Sequence, residues 1–595
     1  MALYKAPLRD MQFVMHEVLN VENHYKSLPH FAEVDRDLVN SVLETGAQFS
    51  ENELSPINRS GDEEGCGFDD GVVTTPTGFK EAYAKFVELG LGSLAAPVEQ
   101  GGQGLPPSLG IAMSEMTGTA NWSWSMYPGL SHGAINTVAA HGSDEQKETY
   151  LTKLVSGEWT GTMCLTESHA GSDLGLIRTK AEPQADGSYK ITGNKIFISA
   201  GEHDMAENIV HVVLARLPDA PKGTKGISLF LVPKFMPGSG ERNGVKCGSI
   251  EHKMGIKASA TCVMNFDEAT GFLIGPPNKG LNCMFTFMNT ARVGTALQGV
   301  CAAEGSFQGA LLYAKDRLAM RSLTGPKAPE KEADPIIVHP AVRQLLLTQK
   351  AFAEGGRLMV YWLSTFSDTL EGSASDEDKK AADDMMSMLT PIAKAFLTEV
   401  GYEAANAGVQ VYGGHGFIRE WGMEQIVRDT RIALLYEGTT QIQALDLLGR
   451  KVLQTQGGLL RNFTKVVHKF CAAQEGNAAM AEFVRPLAAL NKEWGDVTTR
   501  VGMKAMGNAD EVGAAAVDYL MFSGYVTMAY LWAWMAKVAQ DKLAAGEGDA
   551  AFYKAKVQTA QFYFKKILPR TKAHIEIIDS GLETLNQISA DAFAF

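Results

Sequence analysis

The sequence predicts an α+β protein of several domains, in the order helices, a β domain, helices, then more helices. Three observations predict it. The chain has 595 residues, more than one compact core holds. Apolar spacing is helical from about residue 36 to 160 and again beyond about 281. Between about 161 and 280 it switches to short alternating runs separated by Gly and Pro.

Residues 1–35 form an N-terminal extension with one helical pattern around residues 11–19. In the helical domain 36–160, Phe86, Leu89, Leu91 and Leu94 lead into the turn-rich segment QGGQGLPP at 100–107. In the β domain, 161–280, the run YKITGNKIFI at 189–198 holds a hairpin signal, Gly193-Asn194, between alternating strands. Residues 209–215, 227–232 and 261–266 read as further strands. Short strands with tight turns and no crossover helices predict an antiparallel barrel or sandwich. The third domain, 281–455, is helical and is interrupted by residues 324–335, where Pro and alternating charge predict a solvated connection. The block 456–595 is an additional helical domain whose Ala-rich spacing suits close helix packing.

Composition excludes several functions. The net charge of −14 argues against a nucleic-acid partner, because phosphate binding needs clustered Lys and Arg. The seven cysteines show no CxxC spacing, so neither a disulfide framework nor a metal site is expected, and a reducing, cytoplasmic location fits. The N-terminus lacks the apolar core of a signal peptide. The most membrane-like run, 519–536, is broken by Ser523, Gly524 and Thr527 and reads as a buried bundle helix; no integral span is expected, and peripheral membrane contact stays open.

Four segments carry candidate chemistry. The β domain opens with MCLTESHAGSD at 163–173, where small and hydroxyl residues let backbone N–H groups approach a ligand, although a generic turn explains it equally well. KIFISAG at 195–201 ends a strand in an aromatic, a hydroxyl and a glycine, suited to backing a flat ring or to a buried strand end. QVYGGHGF at 410–417 breaks a helix with three glycines but does not match GxGxxG after a strand, so no Rossmann site is read; His415 is a packing residue rather than a catalyst. In LLYEGTTQIQ at 434–443, Glu437 is a lone carboxylate with uncharged flanks. That environment suits a general base, while the local alternative is a helix-capping Glu.

These four segments, in this order and spacing, resemble the acyl-CoA dehydrogenase family over about residues 36–455, and the length and extra block resemble its long bacterial branch of fatty-acyl-CoA and 3-methylmercaptopropionyl-CoA dehydrogenases. The resemblance implies an N-terminal helical domain, a middle β domain and a C-terminal four-helix domain that together use FAD. It implies that Glu437 takes the α proton of an acyl-CoA thioester as the β hydride passes to the flavin, leaving a trans-2-enoyl-CoA, with electrons going on to an electron-transfer flavoprotein. Hydrogen bonds to the thioester oxygen stabilise the enolate that develops.

By motif match, Met163, Leu165, Thr166 and Ser172 border the flavin or the thioester end. Phe197 and Ser199 lie against the flavin ring, where the family usually has Trp and Thr. Arg317 in YAKDR reaches the FAD of a neighbouring subunit, as do Gln410, Gly413 and Gly414, and Thr439 and Gln441 give further FAD contacts. Tyr436, Gly438 and Arg292 are matched to substrate contacts. Some members carry the base immediately before this arginine; here that residue is Ala291, which cannot act as a base. Arg292 is read either as support for the Glu437 loop or as half of an ion pair.

The same motifs serve an oxygen-using oxidase. A nitroalkane-oxidase-like enzyme uses Asp as its base, and a DNA-binding relative needs a basic C-terminal block, whereas residues 456–595 carry 15 basic and 14 acidic side chains. Medium-to-long straight acyl chains are the expected substrates, with the thioether 3-methylmercaptopropionyl-CoA as the alternative. The C-terminal block is expected to replace the second dimer of shorter, tetrameric members and so give a homodimer.

Overall fold

The computed structural model describes residues 4–594. It forms two compact units. One comprises 4–6 and 41–294, the other 7–40 and 295 onward.

In the first unit, Asn121 caps the helix Trp122–His141 by accepting the Trp124 N–H at 3.1 Å. Earlier in the same unit, strands β1 (Gly67–Asp69) and β2 (Val72–Thr74) form a hairpin that the helical reading of this region missed. Its turn residues, Asp70 and Gly71, both have positive φ, the backbone twist that matches two-residue hairpins.

Seven strands follow: β3 (Trp159–Cys164), β4 (Lys180–Pro183), β5 (Tyr189–Ser199), β6 (Asn208–Ala215), β7 (Ser228–Pro233), β8 (Val245–Ile250) and β9 (Thr261–Ile274). Their order is β3-β6-β7-β9-β5-β4, with β8 also on β9. A bridge from Lys180 to Arg216 returns β4 to the end of β6 and closes the sheet on itself. Two expectations change. The sheet is not wholly antiparallel, because β3 pairs with β6 in parallel. And Gly193-Asn194 is no hairpin: β5 runs straight through it with a register shift between Ile191 and Gly193. Glycine is required there by a close approach, since a Cβ would sit 2.6 Å from Thr179 Oγ1. β6 and β7 are buried along their whole length, which is why they read as continuous apolar runs.

The second unit is helical. Its long helices are Gly280–Asp316 (from Thr295 onward), Pro340–Gly372, Asp376–Tyr412 and Glu511–Ala545. Residues 324–335 form no helix or strand, as expected, but the loop is organised rather than merely solvated. Asp334 is fully buried and accepts N–H bonds from Ser322, Lys327 and Ala328 at 2.8–2.9 Å. Burial alone raises that carboxyl; these donors and Arg321 outweigh burial and hold it well below the usual carboxylate range.

The N-terminal segment packs within this unit. Asp10 pairs with both Arg357 and Lys556, and Phe13 meets Phe552 edge-on at 5.4 Å. Close helix packing in the C-terminal block is as the spacing predicts. A Cβ on Gly524 would lie 2.2 Å from the Phe396 ring, and one on Gly355 would lie 2.6 Å from Trp532 Nε1. The apolar run 519–536 is mostly buried in this packing, which is the bundle-helix reading. All seven cysteines are free.

Candidate active site

Two strand ends meet in the β unit. The Ile196 N–H donates to Thr166 O at 2.9 Å, joining the end of β5 to the turn after β3. Beneath them the buried Lys195 ammonium donates to Leu165 O at 3.0 Å and to Glu167 Oε1 at 2.9 Å. Glu167 also accepts the Arg178 and Thr179 N–H groups and the Thr179 hydroxyl, at 2.7–3.0 Å. Burial alone raises the Glu167 carboxyl; Lys195 and these donors bring it down to about 2, so the pair is ionised.

This anchoring sets the conformation of Phe197. Its backbone has φ +59° and its ring is 60% exposed, between the buried Ile198 and Lys195. A bulky side chain held left-handed costs of order 1–3 kcal/mol and persists only where surrounding structure imposes it. Ser199 is half-buried, as are Met163, Leu165 and Thr166, while Ser172 is exposed in the following turn. The structure thus brings Leu165, Thr166, Phe197 and Ser199 to one end of the barrel. Arg292 makes no ion pair among the described residues. Its guanidinium lies over the Phe285 ring at 5.9 Å, and its Nε is buried without a hydrogen-bond partner.

In the helical unit Glu437 lies in the loop between the turn Ile432–Leu434 and the helix Thr440–Leu445. It is not the helix cap. Thr439 is, its hydroxyl accepting the Ile442 N–H at 3.2 Å. Glu437 is left-handed, with φ +56°, and Gly438 follows at φ +90°. Both catalytic-motif side chains singled out above, Phe197 and Glu437, therefore sit in the same rarely occupied backbone region.

The loop is held from inside. Lys394, fully buried on the helix Asp376–Tyr412, donates to Ala433 O at 2.9 Å and Gly438 O at 2.5 Å. Gln443 Nε2 donates to Glu437 O at 2.9 Å, and the Thr440 hydroxyl to Glu399 Oε1 at 2.6 Å. The Tyr436 hydroxyl donates to Gln298 Oε1 at 2.5 Å. Gln441 is exposed.

The glycine-rich segment is elsewhere. Gln410 lies sixteen residues beyond Lys394 on the same helix, roughly 24 Å away at about 1.5 Å per residue. Gln410, Gly413, Gly414 and Arg317 are all exposed. Their neighbours in the chain form one aromatic cluster: Tyr313 stacks on Tyr412 at 4.1 Å and hydrogen-bonds His415 at 2.9 Å, and His415 stacks on Trp421 at 4.5 Å. His415 is thus a packing residue. Phe417 and Ile418 are exposed beside it.

Sequence reasoning missed Lys394, Gln443 and the Lys195–Glu167 pair. Lys394 had a signal: it is the one charge in the apolar run LTPIAKAFL, where a buried partner is required.

Comparison with known proteins matches four family models in order. These are the acyl-CoA dehydrogenase N-terminal domain (39–158), its middle domain (162–269), its C-terminal domain (278–453) and an acetyl-CoA dehydrogenase C-terminal-like domain (463–589). The chain is 42% identical to a 3-methylmercaptopropionyl-CoA dehydrogenase of Ruegeria pomeroyi, over 97% of this chain and 98% of that one. It is 34% identical to a broad-specificity linear acyl-CoA dehydrogenase of Mycobacterium tuberculosis, over 99% and 100%. Among solved structures, an acyl-CoA dehydrogenase from Bacillus anthracis complexed with FAD superposes with a TM-score of 0.74 at 22% identity, covering 93% of this chain and 90% of that one.

The residues present fit FAD. An exposed aromatic ring beside a hydroxyl, at Phe197 and Ser199, suits a flat conjugated ring, and the exposed Arg317 guanidinium suits a pyrophosphate.

Proposed function

The chain belongs to the acyl-CoA dehydrogenase family: it is an oxidoreductase acting on the CH–CH bond of an acyl-CoA with FAD, and we propose that Glu437 is its catalytic base. The observation that carries this is the Glu437 loop, a left-handed backbone whose carbonyls at Glu437 and Gly438 are held by buried donors. Strain of this kind collects where a side chain must be held in one position. Glu437 removes the α proton, and positioning supplies most of its advantage, because carboxylate and hydride acceptor must address opposite faces of the Cα–Cβ bond. FAD, when bound, supplies that hydride acceptor. Leu165, Thr166, Phe197 and Ser199 hold the ring end of the cofactor on this reading. Tyr436 and Gly438 in the helical unit, and Ser172 and Arg292 in the β unit, are substrate contacts on this reading, the last supported by its unsatisfied Nε.

The substrate we favour is a short acyl thioester, 3-methylmercaptopropionyl-CoA in particular, because the 42% identical relative acts on it and matches end to end. The 34% identical relative keeps linear acyl-CoAs as the second reading. The expectation of medium-to-long chains has no separate support. A panel of acyl-CoAs of rising length plus the thioether decides; a kcat/KM that climbs with chain length and is lowest for the thioether overturns the preference. Glu437→Gln should keep FAD and lose substrate-induced flavin bleaching by about 100-fold or more; bleaching at the parent rate removes Glu437 from the role.

Electrons go to an electron-transfer flavoprotein on this reading, and rapid reoxidation of the reduced, product-bound enzyme by oxygen would make it an oxidase instead. A homodimer is our reading of Arg317, Gln410, Gly413 and Gly414, with Thr439 and Gln441 as further FAD contacts. The first four are exposed; Gln410, Gly413 and Gly414 lie at the C-terminal end of the Asp376–Tyr412 helix, away from Lys394 and the Glu437 loop, and on this reading they complete a neighbour's FAD site. The C-terminal helices pack on the chain's own Asp376–Tyr412 helix, which supports a dimer over a tetramer on this reading. Seven free cysteines support a reducing compartment, the cytoplasm.

A further inference from the structure

We propose that Lys394 is a positioning residue for proton abstraction: its buried ammonium grips the loop carrying Glu437 on both sides of the carboxylate and sets where that carboxylate points. The inference rests on Glu437 being the base.

The grip is geometric. Lys394 Nζ donates to the carbonyl of Ala433, where the loop begins, and to that of Gly438, immediately after Glu437. Gln443 takes the carbonyl between them, that of Glu437. A peptide is planar and trans, so fixing a carbonyl fixes the N–H on its opposite edge. With the Glu437 and Gly438 carbonyls both drawn inward, the peptides on the C-terminal side of Glu437 are oriented, and the chain is left at φ +56° and then +90°.

A neutral donor would serve if holding a loop were all that was needed. Burying an ammonium is costly, and the fold does so in the middle of an apolar helical run, where Lys394 donates to two carbonyls of the Glu437 loop. Tyr436 is tethered separately to Gln298, and Thr440 to Glu399, so the loop's two shoulders are fixed independently of Lys394. What Lys394 adds to this loop is the pair of bonds at Ala433 and Gly438, the stretch that presents the carboxylate. The consequence is specific: loss of Lys394 should lower the rate of proton abstraction without weakening substrate or FAD binding.

The test is Lys394→Met in the full-length FAD-bound enzyme. FAD stoichiometry, KM and kcat are measured with the best acyl-CoA of the panel, together with the rate of flavin bleaching at saturating substrate. The expected result is a fall of 100-fold or more in kcat and bleaching rate, with KM and FAD content within threefold of the parent. A kcat within threefold of the parent overturns the proposal. So does a fall in kcat matched by lost FAD or raised KM, which marks a general structural role. Should Lys394→Met give no holoenzyme, Lys394→Gln, which keeps a polar head in the buried site, carries the same thresholds. Glu437→Gln is measured alongside. If it bleaches at the parent rate, the base assignment itself fails; if it is silent while the Lys394 variants behave as the parent, only the positioning role fails.

Discussion

Lys195 Nζ lies 2.9 Å from Glu167 Oε1, and both groups are buried beneath the strand end that exposes Phe197. The pair ties the turn after β3 to β5 and leaves neither charge in water.

Removing one partner of this pair should therefore destabilise the β unit strongly. Lys195→Met strands a buried carboxylate, and a loss of roughly 3–5 kcal/mol in urea unfolding is expected. The double variant Lys195→Met/Glu167→Gln should recover part of that loss, since no unpaired charge remains. A double variant as weak as the single one refutes this account.

Gly438→Ala should injure the Glu437 loop. At φ +90° an alanine is strained, and its Cβ would meet Gln443 Nε2 at 2.6 Å, displacing the donor to the Glu437 carbonyl. A stability cost of about 1–3 kcal/mol and a fall of at least tenfold in flavin bleaching rate are expected. Stopped-flow absorbance with saturating substrate reads the second effect; an unchanged rate counts against the loop geometry as the determinant.

Arg317→Ala should loosen FAD without touching the Glu437 loop, because Arg317 is exposed one turn beyond Tyr313, which bonds His415 of the glycine-rich segment. The ratio of FAD to protein after gel filtration should drop, while enzyme saturated with added FAD should bleach at the parent rate. Light scattering of the parent should give a dimer, and a tetramer would contradict the assignment of the C-terminal helices.

Acid should weaken the β unit through two buried histidines. Burial, reinforced by the Lys234 charge, pushes both His203 and His211 down to about 3, so both are neutral in the fold. The unfolded chain protonates first, near pH 6.5, so stability is intact above that pH and is lost as pH falls towards 3. At pH 5 the loss is roughly 2 kcal/mol per histidine. His211→Gln should reduce the slope of urea-unfolding free energy between pH 7 and 5; an unchanged slope rules the histidine out as a source.

The helical unit responds lower on the pH scale. Burial alone raises the Asp10 carboxyl, but Lys556 and Arg357 bring it to about 2, from 3.8. Its contribution, about 2 kcal/mol, is full above pH ~4 and disappears as pH falls through 2. Asp10→Asn should flatten unfolding free energy across that window.

The alternation of helical and β texture was legible because periodicities of 3.6 and 2 are local properties of the chain. Local signals also misled. Gly193-Asn194 looks like a hairpin turn but sits inside β5, since the glycine answers to Thr179, immediately before the adjoining strand β4, and not to its own neighbours in sequence. Asp70-Gly71, by contrast, does make a turn, in a stretch whose surroundings read as helical.

By itself the sequence determined the order of the domains, the family and the candidacy of Glu437, because ordered motifs at set spacings need no knowledge of distant contacts. Only the tertiary structure decided how Glu437 and Phe197 are held. Lys394 reaches Ala433 and Gly438 across 39 and 44 residues of chain, and Lys195 reaches Glu167 across 28. Such bonds depend on which buried donors and acceptors the folded chain brings together, and the left-handed conformations they impose are unfavourable locally, so no local pattern announces them.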